Sequence, residues 1–222
     1  MKYKAGKHHQ DRWVVETTNY KKKGYFVDIG ASNGTHGSTT FILEKKYNWN
    51  GICVEPHEQF FKSLCERRNC ICVNVCIADK KGEVDFVERG VYKERSGIYC
   101  SDADEGVTEI VELRNHPLVK KQAITLLNLL EEHGAPKTID YLSMDTEGTV
   151  WLILKNFDFT RYTFLLITLE HNDEVIGGKE APQHRKIKRA KIKKLLESNG
   201  YYRDKIAGPE DFYIHKSLKH KE

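Results

Sequence analysis

Long apolar runs are missing from this chain. No stretch approaches the roughly 20 apolar residues that a membrane-spanning helix needs, so no membrane segment is expected. The start, MKYKAGKHHQDRW, carries no apolar h-region, which removes a secretory leader from the expectations and points to the cytoplasm. No C-x-x-C pair occurs among the six cysteines, so the common zinc spacing is missing too. Internal repeats, low-complexity segments and composition breaks are also lacking. That leaves one domain over residues 1–222, with residues 1–23 as a lead-in of uncertain order.

The chain has 222 residues, 31% charged and 39% hydrophobic, which suits a globular domain with a full core around one sheet. A net charge of +4 is a mild bias and does not by itself imply nucleic acid. Apolar runs alternate with helical patterns. GYFVDIG (24–30), WNGICVEP (49–56) and ICVNVCIAD (71–79) read as strands, with helices at 38–47 and 57–67 between them. Cys70, Cys72 and Cys76 then share one strand region, as buried free thiols.

GEVDFVER (82–89) and VTEIVEL (107–113) alternate like antiparallel strands. The polar segment 90–106 has no period and is the candidate loop over a substrate, with Arg95, Ser96 and Gly97 as candidate contacts. Residues 123–133 read as a helix with Leu126, Leu129 and Leu130 in the core. TIDYLSMD (138–145) and RYTFLLITLE (161–170) are strands, with a helix at 149–156 between them. A basic helix at 182–198 carries Ile187, Ile192 and Leu195 on one face, and a hairpin closes the chain. Strand alternating with helix predicts an α/β fold, a mostly parallel central sheet with helices on both faces and an antiparallel C-terminal hairpin.

The turn VDIGASNGTHGSTT (27–40) carries three glycines between a strand and a helix. Ligands in such sheets bind beyond the carboxyl ends of the strands. A phosphate loop needs G-x-x-x-x-G-K-[ST], and no lysine follows Gly34. A dinucleotide fingerprint needs G-x-G-x-x-G, and Ser32 breaks it. What remains, D-x-G-x-x-x-G, suits a cofactor without phosphates. Asp28 would accept from a cationic amine, and Glu55, ending the next strand, would meet the hydroxyls of a ribose. S-adenosylmethionine carries an ammonium, a carboxylate and a ribose, and fits both acids. Gly30, Ala31, Ser32, Asn33 and Gly34 form the cradle, with Glu55 and Pro56 at the ribose. Ile77, Ala78 and Asp79 flank the adenine.

Here VDIGASNG, GICVEPHEQFFKSL and IDYLSMDTEG resemble the FkbM-type S-adenosylmethionine-dependent methyltransferases. The approach QDRWV, with KKGYFVDIGA and the E-P pair, is similar to the Star-like subgroup. The resemblance implies a class I methyltransferase, Rossmann-like fold. It also implies O-methylation, often of a sugar or another hydroxyl-bearing natural product. The family usually has an acid soon after D-x-E-G, where this chain has Thr149, Val150 and Trp151.

A second constellation gathers at the next strand ends: Asp145 and Glu147 in SMDTEG, then Glu170, His171 and Asn172. Three readings stay open. His171 or Asp145 is the catalytic base for a substrate hydroxyl. Asp145, Glu170 and His171 hold a divalent cation such as magnesium or manganese, which related sugar O-methyltransferases often use. Or these groups bond substrate hydroxyls directly. Asp145 and Thr146 also suit a helix cap. Gln10 and Asp11 fold over the site or pack as ordinary surface, and His36 touches the methyl-transfer region or is solvated.

The expected activity is therefore S-adenosylmethionine-dependent O-methyl transfer to a sugar or glycan hydroxyl, with no nucleic-acid partner. The alternatives are an RNA or protein methyltransferase and a non-catalytic cofactor-binding module. The first lacks an N-P-P-[YF] motif, and the second sits badly with the intact D-x-G and E-P positions.

Overall fold

The computed structural model describes residues 6, 8–89, 96–99, 117–171 and 183–218. The lead-in is more ordered than its sequence suggests. It forms helix α1 (Gln10–Thr17), which buries Trp13, Val14 and Val15. Trp13 stacks edge-on against Phe212 at 5.0 Å, and its Nε1 donates to Asp204 at 2.9 Å.

Strand β1 (Tyr25–Ile29), helix α2 (Phe41–Tyr47), strand β2 (Asn50–Val54), helix α3 (Glu58–Arg67) and strand β3 (Ile71–Val73) follow in the expected alternation. The run ICVNVCIAD, expected as one strand, breaks after Val73. Asn74 turns its side-chain amide to the Glu55 carbonyl at 2.8 Å. The chain then resumes as β4 (Cys76–Ala78) in another sheet, so Cys72 and Cys76 do not share a strand.

Strands β5 (Gly82–Val87), β6 (Gly97–Ile98) and β7 (Leu118–Thr125) complete that second sheet, in the order β4-β7-β5-β6. Strand β7 occupies ground expected to open a helix at residue 123. The helix starts later, because Thr125 caps it: its hydroxyl accepts from the Asn128 N–H at 3.0 Å in a capping box. That helix is α4 (Leu126–Glu132), and Leu126, Leu129 and Leu130 are buried as expected. The expected strand at 107–113 and most of the loop at 90–106 lie outside the described residues.

The remaining elements are β8 (Thr138–Met144), α5 (Val150–Leu154), β9 (Thr163–Glu170), α6 (Gln183–Ser198), β10 (Tyr201–Ala207) and β11 (Glu210–His215). On α6 the buried residues are Ile192 and Leu196, and the expected Ile187 is instead exposed. The main sheet has seven strands in the order β10-β11-β9-β8-β1-β2-β3. Strands β3, β2, β1, β8 and β9 run parallel; β11 runs antiparallel to both β9 and β10.

The two faces of this sheet separate by residue parity, as a period of two requires. Val27, Ile29, Ile52, Val54, Leu142 and Met144 pack into one core with residues of α4, α5 and α6. Phe26, Cys53, Tyr141 and Leu166 face the other way, into a core with residues of α1, α2 and α3. Strands buried on both faces explain the nearly continuous apolar runs. The fold is the class I methyltransferase, Rossmann-like α/β architecture.

Strand order reverses at β1, which has β2 on one side and β8 on the other. A ligand crevice belongs at such a switch point, beyond the carboxyl ends. Gly30 stands there at φ +87°, and a Cβ on it would lie 1.8 Å from the Asp145 carbonyl oxygen. The ends of β1 and β8 thus approach closely enough to need a glycine.

Candidate active site

A cleft enclosing about 630 Å³, part of it open to solvent, lies at these strand ends. Gly30, Ser32, Glu55 and Pro56 line one side, and Asp145, Thr146 and Thr149 another. Phe60, Val75 and Ile77 give it an apolar wall, and Phe86 and Ile98 of the second sheet extend that wall.

Glu55 is only 6% exposed. One carboxylate oxygen accepts from the Ser32 N–H and the other from the His57 N–H, both at 2.8 Å. Ser32 reaches this bond with a left-handed backbone, φ +49°. Burial pushes the Glu55 carboxyl up to about 7, although the two N–H donors pull it down. Each oxygen keeps a lone pair for a further donor.

Asp28 stands differently from its expected role. It is 3% exposed, lies outside the lining of the cleft, and accepts from the Thr40 hydroxyl at 2.6 Å. Burial raises its pKa, against Thr40 and the Arg68 guanidinium. It holds Thr40 and does not itself line the cleft where an amine was expected.

Arg68, which the sequence reading passed over, organises this region. Its side chain is fully buried. Nε donates to Glu44 at 2.8 Å, Nη1 to the Gly34 carbonyl at 3.2 Å, and Nη2 to the Thr40 hydroxyl at 3.0 Å. Gly34, at φ +76°, leaves room for it, since a Cβ there would meet Leu64 Cδ1 at 2.6 Å and Arg68 Cγ at 2.9 Å. One signal was present in the sequence: Arg68 lies four residues after the buried Leu64, at the C-terminal end of α3. Asn33 shapes the turn from within by accepting from the N–H groups of Thr35 and His36. Ala31 is held by a bond from its N–H to the Val54 carbonyl at 3.0 Å. Of the adenine candidates, Ile77 lines the cleft, Ala78 packs inside the second sheet and Asp79 pairs with Lys155 at 3.6 Å.

A second cavity, of about 430 Å³, adjoins the first and shares Asp145 with it. Glu170, Glu210, Gln10, His8 and Thr39 line it. The N-terminal segment lines this second cavity through His8 and Gln10. Asp11 is 2% exposed, and His36 lines neither cavity. Ser96 and Gly97 line the first cleft, while Arg95 lies outside the described residues.

The expected metal set changes. Asp145, Glu147 and Glu170 bring one oxygen each within 4.8 Å of one another, and His171 is not in this group. Its backbone N–H instead bonds the Pro209 carbonyl at 2.8 Å, and its side chain lines neither cavity. Glu147 enters the group because its backbone is left-handed, φ 51°, where the chain turns from β8 toward α5. Asn172 lies outside the described residues.

No curated protein matches the chain. Among solved structures, it is similar to the precorrin-6y C5,15-methyltransferase of Geobacter metallireducens GS-15, at 12% identity and TM-score 0.43, over 96% of this chain and 92% of that one. It is also similar to a SAM-dependent methyltransferase of Aquifex aeolicus, at 11% identity and TM-score 0.41, over 92% and 87%. A third, from Pyrococcus horikoshii, is named as an RNA methyltransferase, at 12% identity and TM-score 0.43, over 98% and 94%. At such scores these likenesses carry no argument about substrate. The methyltransferase FkbM domain, in contrast, matches residues 28–201, most of the chain. The chain belongs to the FkbM methyltransferase family, whose methyl donor is S-adenosylmethionine.

Proposed function

We propose that this enzyme transfers the methyl group of S-adenosylmethionine to a hydroxyl of a sugar, a glycan or a similar polyol. The cleft fits the donor: Gly30 gives backbone approach where a Cβ would clash, and Glu55 offers buried acceptor lone pairs to a ribose. Ser32, Glu55 and Pro56 would hold the nucleoside side, with Ile77 beside the base and the Gly30–Gly34 turn under the methionine part. The sulfonium methyl is already electrophilic, so the protein mainly aligns donor and acceptor.

The observation that carries the acceptor reading is the second cavity. It meets the cofactor cleft at Asp145, and three carboxylates line it: Asp145, Glu170 and Glu210. Carboxylates accept from hydroxyls and repel phosphates. That favours a hydroxyl-rich neutral acceptor over a nucleic-acid backbone.

An alcohol is a weak acid and needs help to lose its proton. Asp145, shared by both cavities, is the candidate base. A divalent cation, held by Asp145, Glu147 and Glu170, would lower the hydroxyl pKa and fix two neighbouring oxygens. The two routes separate under chelation. With a cation, EDTA abolishes turnover and magnesium or manganese restores it. With a base alone, EDTA changes nothing. The first experiment is calorimetry with S-adenosylmethionine, followed by a glycan acceptor screen read by mass spectrometry. Methylation of RNA or protein, with every polyol inert, would overturn the acceptor reading.

A further inference from the structure

Behind the glycine turn lies a group of thiols that the methyl-transfer site does not use. Cys53 of β2 is fully buried. Cys72 of β3 pairs with it in register, and half-buried Cys70 stands one residue before β3. The Cys70 and Cys53 sulfurs are 3.5 Å apart, and the Cys72 sulfur lies 3.6 Å from the Cys70 carbonyl. Exposed Cys65, on α3, interacts with Cys72. A disulfide between Cys53 and Cys70 needs the sulfurs to close by only about 1.5 Å.

The two close thiols are not equivalent. Hydrogen bonding to Cys53, then to Cys72, together with the Arg68 guanidinium, holds Cys70 well below the ordinary thiol range despite burial. Burial pushes Cys53 up. Partly accessible Cys70 is thus the thiol that a peroxide meets first, and buried Cys53 the neighbour placed to resolve it. Arg68 interacts electrostatically with both and also bonds Gly34 and Thr40.

We propose that Cys70 and Cys53 form a reversible disulfide under hydroperoxide, and that this bond loosens the cofactor turn through Arg68. The Cys70 thiolate attacks the peroxide oxygen, a sulfur–oxygen bond forms as the O–O bond breaks, and the hydroxide released leaves as water after taking a proton from solvent. The Cys53 sulfur then attacks the Cys70 sulfenic acid. The S–S bond forms, the S–O bond breaks, and hydroxide leaves as water with the Cys53 proton. Sulfur is oxidised by two electrons and peroxide is reduced by two. Oxidation removes the negative charge beside Arg68 and draws Cys70 toward β2. Both changes act on the residue that ties α3 to Gly34. The second half of the proposal rests on the Gly30–Gly34 turn holding the cofactor.

The test uses the full chain, first reduced and then exposed to hydrogen peroxide, as wild type, Cys70→Ser and Cys72→Ser. Unreduced peptide mapping by mass spectrometry should find Cys53 linked to Cys70 in the wild type and in Cys72→Ser. The link should be lost in Cys70→Ser and reversed by dithiothreitol. Calorimetry should show the oxidised wild type binding S-adenosylmethionine about fivefold more weakly, with recovery on reduction and no change in Cys70→Ser. Oxidation confined to Cys65 and Cys72, or Cys70 passing only to sulfinic acid, would overturn the thiol pair. A Cys53–Cys70 link with unchanged affinity would overturn the coupling to the turn. If reduced wild type fails to bind the cofactor at all, the cofactor reading falls, while the peptide map still decides the disulfide.

Discussion

The two halves of the site are built on opposite terms. On the β1–β2 side, polar groups are buried and mutually satisfied: Arg68 spans Glu44, Gly34 and Thr40, and Thr40 donates to Asp28. On the β8–β9 side, three carboxylates crowd together, Asp145 is exposed and Glu147 sits in a left-handed backbone. The first half spends its chemistry on holding shape. The second accepts backbone strain to place acids where the two cavities meet. Stability and function are thus separated in space, and substitutions should sort by side.

The largest effect is expected from breaking the buried network. Arg68→Met would remove the buried guanidinium between Glu44 and Asp28, leaving Glu44 only its contact with Lys45. Removing one partner of such a set typically costs about 3–5 kcal/mol, so urea unfolding should show a loss of that order. A loss under about 1 kcal/mol would mean that the network behaves like a surface pair and that the contrast between the halves is wrong. Its acid limit is also fixed. Lys45 and Arg68 hold the Glu44 carboxyl down to about 2, against burial. Its contribution is full above the unfolded value of 4.5 and fades as pH falls toward 2.

On the other side, the next effect is catalytic. Asp145→Asn should lower turnover by about 100-fold or more, with S-adenosylmethionine still bound and the unfolding midpoint little changed. His171→Gln, at a side chain that lines neither cavity, should lose less than about tenfold. Steady-state kinetics on an identified acceptor decides. If the two losses are reversed, His171 is the base and the shared position of Asp145 is incidental.

These contrasts were unevenly legible in the sequence. The parallel sheet could be read because strands buried on both faces leave near-continuous apolar runs such as FLLITL. The turn at Gly30 could be read because few residues tolerate its backbone. Glu55 was legible from its place at the end of a strand. The break at Asn74 was not, because ICVNVCIAD stays apolar across it and only the pairing partner changes. The second sheet was also hidden, so Phe86 and Ile98 looked like ordinary strand residues and not like a cleft wall. The burial of Asp28 beside Thr40 was not legible, because sequence places an acid at a strand end without telling which layer its side chain enters. The acidic cluster was hidden for a different reason. His171 follows Glu170 in the chain but lies past the end of β9, its N–H tied to the Pro209 carbonyl, while Glu147 reaches the cluster through a local left-handed turn.

A smaller effect, at the boundary of the two halves, concerns Glu55. It is buried like the first half but faces the cleft like the second. Glu55→Gln should weaken S-adenosylmethionine binding by about tenfold, the equivalent of one charge-assisted bond. The wild-type affinity should rise as pH passes upward through about 7, where the carboxyl ionises and becomes a stronger acceptor for ribose hydroxyls. Stability runs the other way. The folded pKa lies above the unfolded value of 4.5, so the folded state holds more protons between 4.5 and about 7, and stability falls as pH rises through that window. Glu55→Gln should remove both slopes. Titration calorimetry and denaturation across that range would show it, and an affinity flat with pH would place the ribose elsewhere.

The smallest effect tests the strain itself. Glu147 holds φ at 51° with a side chain that disfavours it, and Gly148 follows at 97°. A non-glycine residue there costs on the order of 1 kcal/mol, and Glu147→Gly would release it because glycine adopts this backbone freely. The variant should therefore unfold at slightly higher denaturant than the wild type. Where Arg68→Met weakens the fold, Glu147→Gly should strengthen it. If the acidic cluster binds a cation, the same variant should need more magnesium or manganese for half-maximal activity. A variant that gains stability and keeps its metal response would leave Glu147 as a turn residue alone. A variant that loses stability would show that the acceptor half carries no strain to release, and the division between the halves would fail at its most sensitive point.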